Sequence, residues 1–92
     1  MVLTLKDLER YKKMSVIERH SEEGKAIRAE LEARMRWMPI KWRRLIRCRY
    51  ILGYGALRTA LEIGISTRTV TAWTADLGRW LEDKDQYLNE LT

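Results

Sequence analysis

The chain of 92 residues predicts an all-α fold, a single helical domain of about five to six helices that contains a helix-turn-helix. Five glycines and one proline are too few for the frequent turns of a small β fold. The shares of apolar residues (46%) and charged residues (34%) suit helices with one side in the core and one in water. Apolar residues also recur three and four positions apart, which is the spacing of one helix face.

The first predicted helix runs from Thr4 to about His20, with Thr4 as its N-terminal cap and Asp7 three positions later. Ser15 and Ser21 are alternative caps, so a break is expected near them. The residues expected on one face of this helix are Leu5, Leu8, Tyr11 and Ser15.

A second helix is predicted from Glu22 to Trp37, and Pro39 ends it and opens a third helix over residues 40–52. Gly53 and Gly55 stop the third helix. The apolar stripe of the second helix consists of Ala26, Ile27, Leu31, Arg34 or Met35, and Met38. The apolar side of the third helix consists of Trp42, Leu45, Ile46, Arg49 or Tyr50, and Leu52.

A short helix is predicted from Ala56 to Ile63, and another from Thr67 to about Leu77 after a three-residue turn. Gly78 either ends that helix or is tolerated within a longer one at a cost of about 1 kcal/mol. The final helix has an apolar stripe of Trp80, Leu81, Tyr87, Leu88 and Leu91.

Residues 56–75 satisfy the steric demands of a helix-turn-helix together. Ala60 is small where the second helix crosses the first, and Gly64 accepts the positive φ of the turn. Ile65 fills the space under the turn, and Ser66 caps the second helix. The residues expected to close the core are Leu57, Leu61, Ile63, Val70 and Trp73. The alternative interpretation is a plain two-helix corner.

The outward face of the second helix carries the candidate base contacts. They are Thr67, Arg68, Thr71 and Ala72. An arginine bonds a guanine edge bidentately, and threonines offer hydroxyls to bases or methyl groups to thymine. Ser66 and Thr69, at the helix N-terminus, are candidate phosphate contacts. The alternative for Arg68 is a solvated surface arginine.

Residues 34–49 contain seven positive charges and no acid. Within them, Arg43, Arg44 and Arg47 lie at helical spacing and are expected to contact phosphates. The alternative is pairing with the glutamates of residues 18–32. Trp37 and Trp42, which lie among the arginines, are expected in the core rather than stacked on single-stranded bases.

The formal charge of +5 and the pI of about 9.7 favour polyanionic partners. The single His20 and single Cys48 form neither a metal site nor a nucleophile pair, so we expect no enzyme activity, metal or cofactor. Disulfides are excluded within the chain, which fits a cytoplasmic site. No apolar run approaches the roughly 18–20 residues of a membrane span.

The stretch from Arg49 to Trp73 resembles the helix-turn-helix of sigma-factor region-4-like proteins, and most of all phage Q-type antiterminators and RinA/ArpU-type late transcription regulators. The similarity spans about residues 40–80. It is carried by an aromatic residue that ends a helix, an alanine, and the Ile-Gly-Ile-Ser and Thr-Val runs. The matching residues are Tyr50, Ala60, Ile63, Gly64, Ile65, Ser66, Thr69 and Val70. The resemblance implies binding to duplex DNA.

Together these features predict a sequence-specific, double-stranded DNA-binding transcription regulator of a prokaryotic or phage-infected cell. We expect a homodimer, because paired half-sites add to the limited affinity of one recognition helix. Its contact surface is expected on the N-terminal helices or on the Trp80–Leu91 stripe. The single domain divides into N-terminal helices for packing or dimerisation (1–38), the DNA-binding unit (40–78) and a C-terminal helix (79–92). The alternatives are an antitermination factor that binds RNA polymerase, a small terminase subunit for DNA packaging, and a protein-interaction module without DNA binding.

Overall fold

The structure, a computed structural model, describes the backbone of residues 2–91 and the side chains of residues 2–83. Over that range the chain forms six α-helices and no β-strand, which confirms the all-α prediction. A π-helical segment, Arg47–Ile51, continues the fourth helix. The helices are α1 (Leu5–Lys13), α2 (Val16–Arg19), α3 (Glu22–Met35), α4 (Ile40–Ile46), α5 (Ala56–Ile63) and α6 (Thr67–Leu91).

Three separate helices begin in the N-terminal part of the chain, with Thr4, Ser15 and Ser21 as their N-caps. The sequence predicts one helix up to about His20, with a break whose position it does not fix. Asp7 Oδ2 accepts hydrogen bonds from the Thr4 backbone N–H at 3.0 Å and from the Thr4 hydroxyl at 3.2 Å. Ser15 Oγ accepts from the Glu18 N–H at 3.2 Å, and the Glu18 carboxylate accepts from the Ser15 N–H at 3.1 Å. Ser21 caps α3. Ser15 is exposed because it caps α2 instead of continuing the buried face of α1.

One core joins the N-terminal helices to the rest of the chain. Ala26, predicted on the buried stripe of α3, is exposed because α3 turns Gly24, Ile27 and Leu31 inward. Leu52 is exposed because the helix ends there. The buried apolar residues are Leu3, Leu8, Tyr11, Ile27, Leu31, Met38, Trp42, Leu45, Ile46, Tyr50, Ala60, Val70, Leu77 and Leu81.

The third predicted helix widens in its last turn. The Leu52 N–H donates to the Arg47 carbonyl oxygen at 2.8 Å, a bond that spans five residues instead of four. The chain then turns at Gly53, whose φ is +74°. This positive φ is the conformation that glycine adopts most readily, so the predicted stop at Gly53 is confirmed.

Helix α6 passes through Gly78 without a break, so the predicted helix to Leu77 and the C-terminal helix after residue 79 are one helix of 25 residues. A Cβ at Gly78 would lie 2.7 Å from Leu5 Cδ1, which shows that α6 and the start of α1 meet closely there. In the predicted C-terminal stripe, Leu81 is buried and Trp80 half-buried. The other members, Tyr87, Leu88 and Leu91, lie outside the described side chains.

Candidate nucleic-acid interface

The turn between α5 and α6 has the geometry that the sequence predicts. Gly64 ends α5 with φ +85° and donates its N–H to the Ala60 carbonyl oxygen at 2.8 Å. The Ile65 N–H donates to the same oxygen at 3.0 Å. These two bonds satisfy the end of α5 and hold the turn tightly. Ala60 is buried where the two helices meet, as expected for the small residue of a helix-turn-helix.

Ser66 caps α6, which confirms the predicted cap. Its Oγ accepts a hydrogen bond from the Thr69 N–H at 3.1 Å. The hydroxyls of Ser66 and Thr69 also lie 2.9 Å apart, so one donates to the other. The pair therefore retains one hydroxyl hydrogen for an external acceptor. The N-terminus of α6 adds backbone N–H groups and the positive end of a helix dipole beside them.

Val70 is fully buried under the turn, and Ile63, Ile65 and Trp73 are partly buried against the core, as predicted. Leu57 and Leu61, predicted to help close this core, are 67% and 75% exposed. The physical reason is the rotation of α5. Its buried residues are Thr59 and Ala60, and positions 57 and 61 lie one turn apart on another face.

The four candidate base contacts, Thr67, Arg68, Thr71 and Ala72, are all exposed on α6. The Arg68 guanidinium makes no hydrogen bond or ion pair with any residue whose side chain the structure describes. The Thr71 hydroxyl donates to the Thr67 carbonyl oxygen at 3.3 Å. Thr71 therefore presents its methyl group and its oxygen lone pairs rather than its hydrogen.

The three arginines predicted to contact phosphates lie in two different places on the surface. Arg43 and Arg47 line a groove with Arg28 of α3 and Arg36, which directly follows α3, whereas Arg44 does not line that groove. All three are exposed, and among the described residues none of them forms an ion pair. The alternative pairing of the basic stretch with the preceding glutamates is limited to Arg34, which bonds Glu30 at 2.7 Å within α3.

Two cations near the α5–α6 corner were not among the predicted contacts. Lys41 Nζ lies 5.4 Å from the Trp73 ring centre and 5.3 Å from the Trp42 ring centre, which places α4 beside the second turn of α6. The Arg58 guanidinium stacks on Tyr54 at 4.1 Å, at the start of α5. Arg58 could have been predicted as a phosphate contact, because it is a basic residue in the first turn of α5. Lys41 could not, because only the fold brings it to Trp73.

The two tryptophans of the basic stretch have opposite environments. Trp42 is buried and packs edge-on against Trp80, with ring centres 5.5 Å apart, so the core prediction is confirmed for it. Trp37 is 84% exposed, so the core prediction is wrong for it. It lies between the end of α3 and Pro39, where no helix face directs it inward.

The described part of the chain has few side chains that could act as a nucleophile or hold a metal ion. Burial and the nearby Glu62 carboxylate raise the pKa of the Cys48 thiol, which disfavours the nucleophilic thiolate. His20 is exposed. Among residues 2–83, no three His, Cys, Asp or Glu side chains are grouped as metal ligands. None of the described helices combines the length and apolar character needed to cross a membrane.

The fold defines an all-α protein, in which the tight turn at Gly64–Ser66 joins α5 to α6. Comparisons with protein-family models, curated proteins and solved structures find no match to the chain.

Proposed function

We propose that the protein is a sequence-specific transcription regulator that inserts the N-terminal half of α6 into the major groove of duplex DNA. The observation that carries the proposal is the outward face of α6. Its four short or basic side chains are exposed, and Arg68 has no partner among the described residues, while the turn behind them is fixed by Gly64 and Ser66. A helix-turn-helix reads base edges with this part of its second helix.

Each of the four exposed side chains of α6 contacts a different part of the DNA major groove. Arg68 bonds the O6 and N7 atoms of a guanine. Thr71 places its methyl group against a thymine methyl, because its hydroxyl hydrogen is bonded to the Thr67 carbonyl oxygen. Ala72 permits close approach to the groove floor, and the Thr67 hydroxyl bonds a base edge.

Phosphate contacts flank this helix. Ser66 and Thr69 supply one hydroxyl hydrogen together with the α6 N-terminus. Lys41 supplies charge beside α6, Arg58 supplies charge at the start of α5, and Arg44 is exposed on α4. The net charge of +5 supports this assignment, because phosphate neutralisation releases counterions and drives binding.

The protein acts as a homodimer on two half-sites about one helical turn apart, in the cytoplasm of a prokaryotic or phage-infected cell. Selection of bound fragments from a random duplex library, followed by sequencing, tests both statements. A palindromic consensus is expected. Absence of enrichment over unselected DNA at about 50 mM salt would overturn the proposal.

Fluorescence anisotropy on the selected duplex separates base contacts from phosphate contacts. Arg68→Ala should lower discrimination at one base pair by about 1–3 kcal/mol. Arg44→Gln and Arg58→Gln should weaken binding to all sequences and lower the salt slope by about 0.9 each. Lys25→Gln, which removes an exposed charge on α3, is the matched control. If Arg68→Ala behaved like this control, the base contact would be wrong.

A further inference from the structure

A second basic surface lies between α3 and α4, on residues that the proposed DNA contact does not use. Four arginines line this groove: Arg28, Arg36, Arg43 and Arg47. Ile51 and Leu52 supply apolar surface at its end. We call this surface the arginine groove.

The arginine groove carries uncompensated charge. Glu32 is the one carboxylate among its lining residues, and it bonds Arg28 at 2.8 Å. Arg36, Arg43 and Arg47 make no ion pair with the described residues. Four guanidinium groups and one carboxylate leave a net charge of about +3 in one groove, which attracts a ligand of opposite charge.

The surface beside the groove is also apolar. Ile40 is 66% exposed and lies three positions before Arg43, on the same face of α4. Trp37 and Leu52 are also exposed. Trp37 lies shortly before α4, and Leu52 directly follows the π-helical segment. A sugar-phosphate backbone offers no apolar surface to such residues. An acidic amphipathic helix offers both carboxylates and apolar side chains.

The chain itself contains a segment of that chemistry. Residues 82–91 carry Glu82, Asp83, Asp85 and Glu90 against one lysine. Tyr87, Leu88 and Leu91 recur within them at helical spacing. Helix α6 continues unbroken to Leu91, so the acidic segment has a helical backbone.

We infer that the arginine groove binds the acidic C-terminal segment, residues 82–91, of a second copy of the chain. This inference rests on the homodimer proposed above and names its contact surfaces; it does not depend on DNA binding. Complementary charge steers the two surfaces together. Ile40 at the start of α4 and Leu52 after the π-helical segment are exposed and pack against the apolar residues of the incoming helix.

Light scattering and sedimentation without DNA test the contact. Wild-type protein should associate, and Arg43→Glu/Arg47→Glu should raise the dissociation constant by about tenfold or more, as should Asp83→Lys/Asp85→Lys. An equimolar mixture of the two variants should associate again, because each reversed groove then meets a reversed segment. Lys6→Glu/Lys25→Glu, which makes the same charge change at exposed positions outside the groove, is the control and should associate like the wild type.

Circular dichroism of every variant shows whether it keeps its helices. A wild-type monomer at about 100 μM would overturn both the inference and the homodimer, since that concentration detects even weak association. Association that survives the arginine reversals would overturn the inference and leave the homodimer. Loss of DNA binding in Arg43→Glu/Arg47→Glu without loss of association would also overturn it, and would assign the groove to phosphates.

Discussion

The guanidinium of Arg19 donates a hydrogen bond to the carbonyl oxygen of Ile51 at 2.7 Å, across 32 positions of sequence. It also donates to the carbonyl oxygens of Tyr50 at 3.2 Å and Tyr11 at 3.2 Å. Arg19 therefore satisfies the ends of two helical units at once, α1 and the π-helical segment. The turn at Gly53 takes the chain away from the helix axis, so the carbonyls near it need a partner from elsewhere.

Arg19→Ala should lower the free energy of unfolding by about 2 kcal/mol, because carbonyl acceptors lose charged donors. Arg19→Lys should recover only part of this loss, since an ammonium lacks the planar fork that reaches several carbonyls. Urea unfolding followed by circular dichroism measures both. Arg10→Ala, which removes a surface ion pair with Glu23 on α3, is the control and should cost less than about 1 kcal/mol. Equal losses for Arg19→Ala and Arg10→Ala would contradict the capping role.

Two glycines inside helices should respond differently to alanine. A Cβ at Gly24 would meet the backbone oxygens of Glu18 and Arg19, both at 2.6 Å, so α3 would have to move away from α2. Gly24→Ala should therefore destabilise by about 2 kcal/mol. At Gly78 the closest atom belongs to the flexible Leu5 side chain, and alanine gains about 1 kcal/mol of helix propensity.

Thermal unfolding of the two glycine variants gives the comparison directly. Gly78→Ala should change stability by less than about 1 kcal/mol, because the propensity gain offsets the displacement of Leu5. The idea of close backbone approach at α2 and α3 would be wrong if Gly24→Ala proved no more harmful than Gly78→Ala.

The features that the sequence predicted correctly are local. Ser66 as a cap and Gly64 as a positive-φ residue follow from chemistry within four or five positions, and both are confirmed. The role of Arg19 depends on carbonyls 31 and 32 positions away, and no periodicity reports it. The rotation of α5 is also a tertiary property. Helix α5 has apolar residues on more than one face, and in the fold the buried face is the one with Thr59 and Ala60.

The candidate site shows the same division. The outward positions on α6 follow from the inward ones by helix geometry, so the exposure of Thr67 and Arg68 was predictable. The charges around α6 were not. Arg43 and Arg44 are adjacent in sequence, yet only Arg43 lines the groove with α3. Lys41 reaches Trp73 only because α4 packs beside α6.

The opposite environments of Val70 and Leu61 give a test of the corner. Val70→Ala should cost about 2 kcal/mol, because it opens space under the turn in a fully buried site. Leu61→Ala should change stability by less than about 0.5 kcal/mol, because Leu61 is mostly exposed. Chemical denaturation at one temperature measures both. A large loss for Leu61→Ala would show that α5 turns this residue toward the core after all.

The buried Tyr50 should make stability fall in alkaline solution. Burial raises the pKa of the Tyr50 phenol above its ordinary value of 10.0, the Glu9 carboxylate raises it further, and Arg49 opposes the shift. An acid with a raised pKa in the folded state is held neutral there, so its contribution is complete below the unfolded pKa. The contribution is lost as pH rises above about 10, where the unfolded chain releases the proton first.

Tyr50→Phe removes this ionisation and keeps the ring in the core. The stability of the wild type relative to Tyr50→Phe should therefore be constant from pH 7 to 9 and decline between about pH 10 and 11. Urea unfolding at each pH measures the difference. Tyr54→Phe is the control, because it removes the hydroxyl of a half-buried tyrosine that lies beside Arg58. A difference between wild type and Tyr50→Phe that stays constant to pH 11 would show that the phenol remains accessible to solvent.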